Sequence, residues 1–297
     1  MPSPYAENTL SLTLKELRTN FRIALSELYP SEELQSFFNI LAEKYLNLTR
    51  IEIALNLKNK ISVEDSENFQ KALIRLKNYE PIQYIIGETE FYGFPFKVNN
   101  HTLIPRPETE ELVEWIINDS EFKIQNSELL DIGTGSGCIA ISIAKNSANS
   151  KISALDISEE ALKIAQQNAA LNKVKVEFFQ TDILKTETLP KHYDVIVSNP
   201  PYVRELEKKQ MQENVLKYEP ESALYVSDED PLLFYRIISL LAKKHLKPNG
   251  KLFFEINEYL SNELTEFLKK EGFQNIEVKN DIFGKNRMLK CSLDEQA

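Results

Sequence analysis

The sequence predicts an α/β fold: a seven-stranded, mostly parallel sheet of doubly wound type whose last strands are antiparallel, with a small N-terminal helical domain and a β-hairpin linker. Three observations carry this. From residue 129 onward strand-like and helix-like runs alternate. The first 86 residues contain none of the eight glycines and show helical periodicity throughout. Between them lies a stretch rich in aromatic and β-branched residues, punctuated by glycine.

In the N-terminal part, Leu10, Leu14, Leu17, Phe21, Leu25 and Leu28 recur at spacings of three and four, which places them on one face of a helix. Thr13 and Glu16 have the spacing of a capping box. Pro30 and Ser31 restart the chain, and Leu34, Phe37, Phe38, Leu41 and Tyr45 form a second stripe. Weaker stripes follow at Ile51–Leu57 and Phe69–Leu76. Residues 1–80 are therefore expected to form the helical domain. Residues 81–107 are expected to form the linker, because Gly87, Gly93 and Asn99-Asn100 divide residues 82–104 into one or two hairpins. Pro105-Arg106-Pro107-Glu108-Thr109-Glu110 then leads into a helix whose buried face is Leu112, Trp115 and Ile116.

Residues 108–297 hold the sheet. Its strands are expected at Leu129–Ile132, Ile152–Asp156, Val176–Gln180, Asp194–Ser198, Lys251–Ile256, Ile276–Lys279 and Met288–Leu293, with helices between them, among them Glu159–Leu171 behind a Ser158 cap and Leu232–His245. Only residues 280–287 separate the last two strands, too few for a crossover helix, so these two should be antiparallel.

Composition narrows the function. Net charge is −10, and residues 81–297 carry 25 basic against 34 acidic side chains, where residues 1–80 carry 10 against 11. Broad polyanion binding rests on clustered Lys and Arg, so no nucleic-acid substrate is expected. Three scattered histidines offer no metal-ligand spacing, and no metal is expected. Cys138 and Cys291 read as reduced thiols. No window is apolar enough to span a membrane and MPSPYAENTL has no signal-peptide pattern, so a soluble, cytoplasmic protein is expected. A monomer is expected as well.

Two segments carry chemistry. Leu129-Leu130-Asp131-Ile132-Gly133-Thr134-Gly135-Ser136-Gly137 is a strand entering a glycine turn that opens a helix. The dinucleotide pattern is Gly-x-Gly-x-x-Gly; here it is Gly-x-Gly-x-Gly, with Cys138 where the third dinucleotide glycine would stand. Asp131 lies two residues before the loop. A carboxylate there would repel a diphosphate but suits the ammonium and sulfonium of S-adenosylmethionine. Asp156, ending the next strand, can accept from the ribose hydroxyls. Asp182, after the third strand, can accept from the adenine amino group, with Ile183 against the ring. The expected cofactor site is thus Asp131, Gly133, Thr134, Gly135, Ser136, Gly137, Asp156, Asp182, Ile183 and Asn199.

The second segment is the buried strand Asp194–Ser198 followed by Asn199-Pro200-Pro201-Tyr202. Two prolines stiffen the corner and remove two N–H donors. What remains is a rim of acceptors, the Asn199 side-chain oxygen and the Pro200 carbonyl. An amide or aryl amine has two N–H hydrogens and a delocalised lone pair, so it is a weak nucleophile. Two acceptors can hold both hydrogens and set the nitrogen about 3–3.5 Å from a methyl carbon, in line with the departing sulfur. They also stabilise positive charge growing on nitrogen. Tyr202 is expected to wall the slot by stacking on the planar group. Asn199, Pro200, Pro201 and Tyr202 are the expected catalytic and substrate-binding residues of a methyltransferase acting on a planar nitrogen.

With these motifs assembled, the chain resembles the release-factor glutamine N5-methyltransferases, often called the HemK family. The matching segments are Pro105–Glu110, Asp131–Gly137, Asp156, Asn199–Tyr202 and Tyr218-Glu219-Pro220. Asn-Pro-Pro-Tyr alone is shared with N6-adenine methyltransferases; its combination with the segments around residues 105 and 218 is more specific. Some members have an aromatic residue where Ile183 stands. The resemblance implies a Rossmann-like S-adenosylmethionine-dependent methyltransferase fold. It also implies a substrate: the glutamine of the Gly-Gly-Gln loop of class I peptide chain release factors, with the helical domain touching the factor away from the reacting amide. Two alternatives are an adenine N6-methyltransferase, which must grip phosphates and accept an unstacked base, and a binding module without chemistry.

Overall fold

The computed structural model describes residues 12–119, 126–147 and 149–293, so the expected contribution of Leu10 lies outside the described residues. The chain divides into two compact units, Met1–Ile86 and Gly87–Ala297.

The first unit is helical. Helix α1 (Leu14–Leu25) begins at the Thr13/Glu16 capping box, and α2 (Ser31–Leu46) ends at Asn47 in the left-handed conformation. A second capping box, Thr49 with Glu52, starts α3 (Arg50–Leu55), and Ser62 caps α4 (Val63–Lys77). The stripes meet in one core in which Phe21, Phe38 and Phe69 pack with ring centroids 5.5–6.5 Å apart. A short helix α5 (Ile82–Ile86) stands where a hairpin was expected. The β-prone residues Ile82 and Ile85 are buried in the helical core, and Arg75 donates to the carbonyls of Tyr84 and Ile85 at 3.1 Å. Tertiary burial thus overrides a local β preference.

The second unit opens with one hairpin, β1 (Glu88–Phe91) and β2 (Phe94–Lys97). Tyr92 and Gly93 both have positive φ, as a two-residue turn matching strand twist requires. Helix α6 (Pro107–Ile117) follows, with proline in its first turn. Then come β3 (Glu128–Ile132), α7 (Cys138–Asn146), β4 (Lys151–Asp156), α8 (Glu159–Leu171), β5 (Val176–Gln180) and β6 (Tyr193–Ser198). The chain continues through β7 (Val203–Arg204), α9 (Glu213–Tyr218), α10 (Glu221–Leu224), β8 (Tyr225–Val226) and α11 (Leu233–His245). It ends with β9 (Leu246–Glu255), α12 (Ser261–Lys270), β10 (Phe273–Asn280) and β11 (Asn286–Leu293).

Seven of these strands form one sheet in the order β10-β11-β9-β6-β3-β4-β5. Strands β5, β4, β3, β6 and β9 are mutually parallel; β11 is antiparallel to both β9 and β10. Alternate residues feed two cores: Leu130, Ile132, Ile196 and Phe254 pack on one face, Leu129, Val195, Val197 and Phe253 on the other. Strand β9 begins five residues earlier than expected, with Leu246 paired to Tyr193 before a register shift. After β5 the chain crosses back to place β6 on the other side of β3, and such a reversal leaves a crevice at the carboxyl ends of the two strands.

One buried charge cluster was not foreseen. Asp119, just past α6, binds Lys251 of β9 at 2.6 Å and Lys290 of β11 at 3.1 Å. Among the described residues no helix is long and apolar enough to cross a membrane.

Candidate active site

The crevice beyond β3 and β6 is a cavity of about 310 Å³ within the second unit. Ten of the residues expected to form the site line it: Gly133, Thr134, Gly135, Ser136, Asp156, Asp182, Ile183, Asn199, Pro200 and Pro201. Strand order explains the convergence. Each of these segments follows the carboxyl end of β3, β4, β5 or β6, and these four strands are adjacent and parallel.

The glycine loop has two kinds of glycine. Gly133 and Gly135 take positive φ, and a Cβ on either would meet nothing within 4 Å, so their task is the turn and the open space before it. Gly137 does not line the cavity. It has φ +83° at the start of α7, and a Cβ there would lie 3.2 Å from Cβ of Ala165 in α8, so it permits close helix packing. The loop is held from several sides. Gly133 and Thr134 donate backbone N–H groups to the Leu155 carbonyl, Gly135 donates to the Asp156 carboxylate at 2.8 Å, and buried Asn168 donates to the Ser136 carbonyl at 2.9 Å.

Asp131 sits beneath the loop, fully buried, and also does not line the cavity. Its Oδ2 accepts from the Thr134 hydroxyl at 2.6 Å, while Oδ1 has no hydrogen-bond partner of ordinary geometry among the described residues. Burial pushes its pKa up to about 7; the Thr134 hydroxyl and the Ala140 N–H oppose this, and the Asp156 charge adds to it. Burial likewise raises Asp156, against backbone N–H donors from Ser158 and Gly135. Asp182 is held below the usual carboxylate range by its hydrogen bond to Lys185, and it caps the short helical turn Ile183–Lys185.

Tyr202 is the expected site residue that the fold uses most differently. It does not line the cavity; its ring packs against the core of the sheet and its hydroxyl donates to Glu255 at 2.9 Å. The physical reason is Glu255 itself, a buried carboxylate at the end of β9 that needs donors. The second donor is Thr109 of α6, whose hydroxyl meets the other oxygen at 2.6 Å. Burial raises the pKa of Glu255, while Thr109, Tyr202 and Arg287 act against the shift. Thr109 lines the cavity, and Nδ2 of Asn199 donates to its oxygen at 3.4 Å.

Sequence reasoning left Arg106 without a role. The structure pairs it with buried Glu219, which also accepts the Ile104 backbone N–H at 3.2 Å, so the Pro105–Glu110 and Tyr218–Pro220 segments are clamped together at the cavity. Glu255, Asn168 and the apolar lining residues Leu103, Phe234 and Ile238 were missed. Glu255 lies in the expected strand Lys251–Ile256, and a carboxylate set directly after the apolar run Leu252–Phe254 is the one signal that was present.

The donor set suits S-adenosylmethionine: an apolar pocket with a half-orphaned buried carboxylate below its loop, two further carboxylates at its edge and, among the described residues that line it, no cluster of cations for a diphosphate. The methyltransferase small domain model matches residues 109–222, and the PrmC N-terminal domain model matches residues 16–87. A release factor glutamine methyltransferase of Flavobacterium psychrophilum is 50% identical over 95% of this chain and 99% of its own. The chain belongs to the release factor glutamine methyltransferase family.

A second family member, from Bacteroides thetaiotaomicron, is 42% identical over 93% of this chain and 99% of its own length. The solved structure of a Pyrococcus furiosus methyltransferase has a TM-score of 0.50 at 21% identity, covering 76% of this chain and 98% of that one, which is a likeness of fold. Family membership makes the chain a methyltransferase, with S-adenosylmethionine as its methyl donor.

Proposed function

We propose that this chain transfers a methyl group from S-adenosylmethionine to the side-chain amide nitrogen, N5, of the glutamine in the Gly-Gly-Gln motif of class I peptide chain release factors. The observation that carries the reading is the place of Asn199-Pro200-Pro201 on the wall of the same cavity as the glycine loop, beside relatives named for this reaction.

The cofactor supplies an electrophilic methyl on a sulfonium. The chain's own residues do the rest. Gly133 to Ser136 give the cofactor backbone to lie against, and Asp131 and Gly137 shape that loop from beneath. Asp156 offers acceptor lone pairs to a ribose, and Asp182 with Ile183 receives the base. Asn199 Oδ1 and the Pro200 carbonyl accept the two N–H hydrogens of the glutamine amide, with Pro201 stiffening the corner. Tyr202 acts through Glu255 rather than by stacking. The helical unit serves as the substrate-recognition domain; the expected linker 81–107 gives up Ile82–Ile86 to it, and residues 108–297 serve as the catalytic domain. Exposed Ile51 and Leu55, 73% and 79% accessible on the helical unit, are the kind of apolar surface a protein partner covers. The protein works as a monomer in the cytoplasm; two free thiols suit that compartment.

The test is mass spectrometry of a release factor incubated with the protein and cofactor. A gain of one methylene on the loop glutamine is expected; label appearing in DNA or RNA instead would transfer the reading to an adenine methyltransferase.

A pH dependence follows from Asp131. Burial pushes its pKa up to about 7, and a nearby cationic group favours the carboxylate, so binding of the cofactor releases a proton. Cofactor affinity should therefore rise with pH up to about 7 and then level. Calorimetry across this range checks it: Asp131→Asn should shrink the rise, and what remains belongs to Asp156, which burial also raises.

A further inference from the structure

The cavity wall contains a hydrogen-bond relay whose polarity is set one step behind the reacting groups. It runs from the Asn199 amide to the Thr109 hydroxyl, 3.4 Å, and from that hydroxyl to the Glu255 carboxylate, 2.6 Å. A hydroxyl has one proton to give, and an ionised carboxylate can only accept. With Glu255 ionised, the Thr109 proton is committed to it, so toward Asn199 the Thr109 oxygen presents lone pairs only. An Asn199 amide turned the other way would set its oxygen against the Thr109 oxygen, two acceptors face to face. The second oxygen of Glu255 takes the Tyr202 hydroxyl at 2.9 Å, so the carboxylate is held on both sides and cannot swing away.

We propose that Thr109 and Glu255 are positioning residues that lock the Asn199 amide with its nitrogen inward and its oxygen toward the substrate. The inference rests on the function proposed above, because only a substrate N–H needs an oxygen there. The amide group of asparagine is nearly symmetric in shape, so packing alone does not choose between its two orientations; the relay does. It also explains why Tyr202 follows the Asn-Pro-Pro corner without lining the cavity. Its hydroxyl closes the network from the far side of Glu255.

The experiment compares wild type with Thr109→Val, Thr109→Ser and Glu255→Gln in steady-state methylation of a purified release factor, with cofactor Kd measured alongside. Valine keeps the shape and removes the hydroxyl. Its kcat should fall about tenfold or more, with cofactor Kd shifted by no more than about threefold. Serine, which retains the hydroxyl, should restore kcat. Glutamine at 255 can present an N–H to Thr109 and reverse the relay, so kcat should fall there too. If the valine variant does not fold, the glutamine and serine variants decide. Wild-type kcat in Glu255→Gln or in folded Thr109→Val, or a serine variant as impaired as valine, would overturn the relay. Failure of the wild-type protein to methylate the factor would instead remove the proposed function.

Discussion

Asn199→Ala is expected to lower turnover on the order of a hundredfold while changing cofactor affinity only severalfold. The asymmetry follows from what the side chain holds. Removing its oxygen leaves one substrate N–H without an acceptor in a largely apolar cavity, a cost of about 1–3 kcal/mol, and also frees the amide to rotate away from the methyl. The cofactor keeps its loop, its two edge carboxylates and its apolar bed. The complementary variant, Asp156→Ala, should do the opposite. It removes an acceptor for the ribose and also the carboxylate that ties down the Gly135 N–H, so cofactor Kd should weaken about tenfold or more. Cofactor binding by calorimetry and single-turnover methylation separate the two. Equal losses of rate and binding in Asn199→Ala would contradict the role given to it.

The largest effect on stability should come from a residue far from the chemistry. Asp119→Ala is expected to destabilise the second unit by roughly 3–5 kcal/mol, because it takes a buried counter-charge from Lys251 and from Lys290, which retains Glu277 at 3.0 Å. The Asp119 carboxylate is 1% exposed and is shared by Lys251 and Lys290, themselves 8% and 14% exposed. For a unit of this size that is a fall in Tm on the order of 10 °C. The sign of the pH dependence follows from the same contacts. Burial pushes the Asp119 carboxyl up, but the two ammonium groups outweigh it and hold it below its usual value. Its contribution is therefore present above the ordinary carboxylate pKa and is lost as pH falls through the lowered one. Urea denaturation at neutral and acid pH should show the gap between wild type and variant narrowing toward low pH. A variant as stable as wild type at neutral pH would show the cluster to be energetically idle.

The periodic part of the molecule and the chemistry of its loops are legible in the order of the amino acids. Helices α1, α2, α4 and α8 and all seven strands of the large sheet follow from apolar spacing, because a helix or strand must turn one face inward whatever its neighbours are. The capping boxes at Thr13 and the Ser158 cap are local exchanges between residues three apart, so they too were legible. The same holds for the glycine loop and the Asn-Pro-Pro corner, whose meaning lies in backbone constraint and in donor and acceptor types. Where the reading went astray, the deciding partner was remote. Ile82–Ile86 is helical because Arg75 and the helical core claim it. Tyr202 leaves the cavity wall because Glu255 lies 53 residues away in sequence and beside it in space. Arg106 finds Glu219, Thr109 finds Glu255 and Asp119 finds Lys251 across 113, 146 and 132 residues. Such pairings depend on strand order, and the position of β6 between β3 and β9 is a property of the whole sheet rather than of any segment. Local pattern specifies which groups are present; only tertiary packing decides which of them meet, because a buried donor or acceptor takes the partner that folding places beside it.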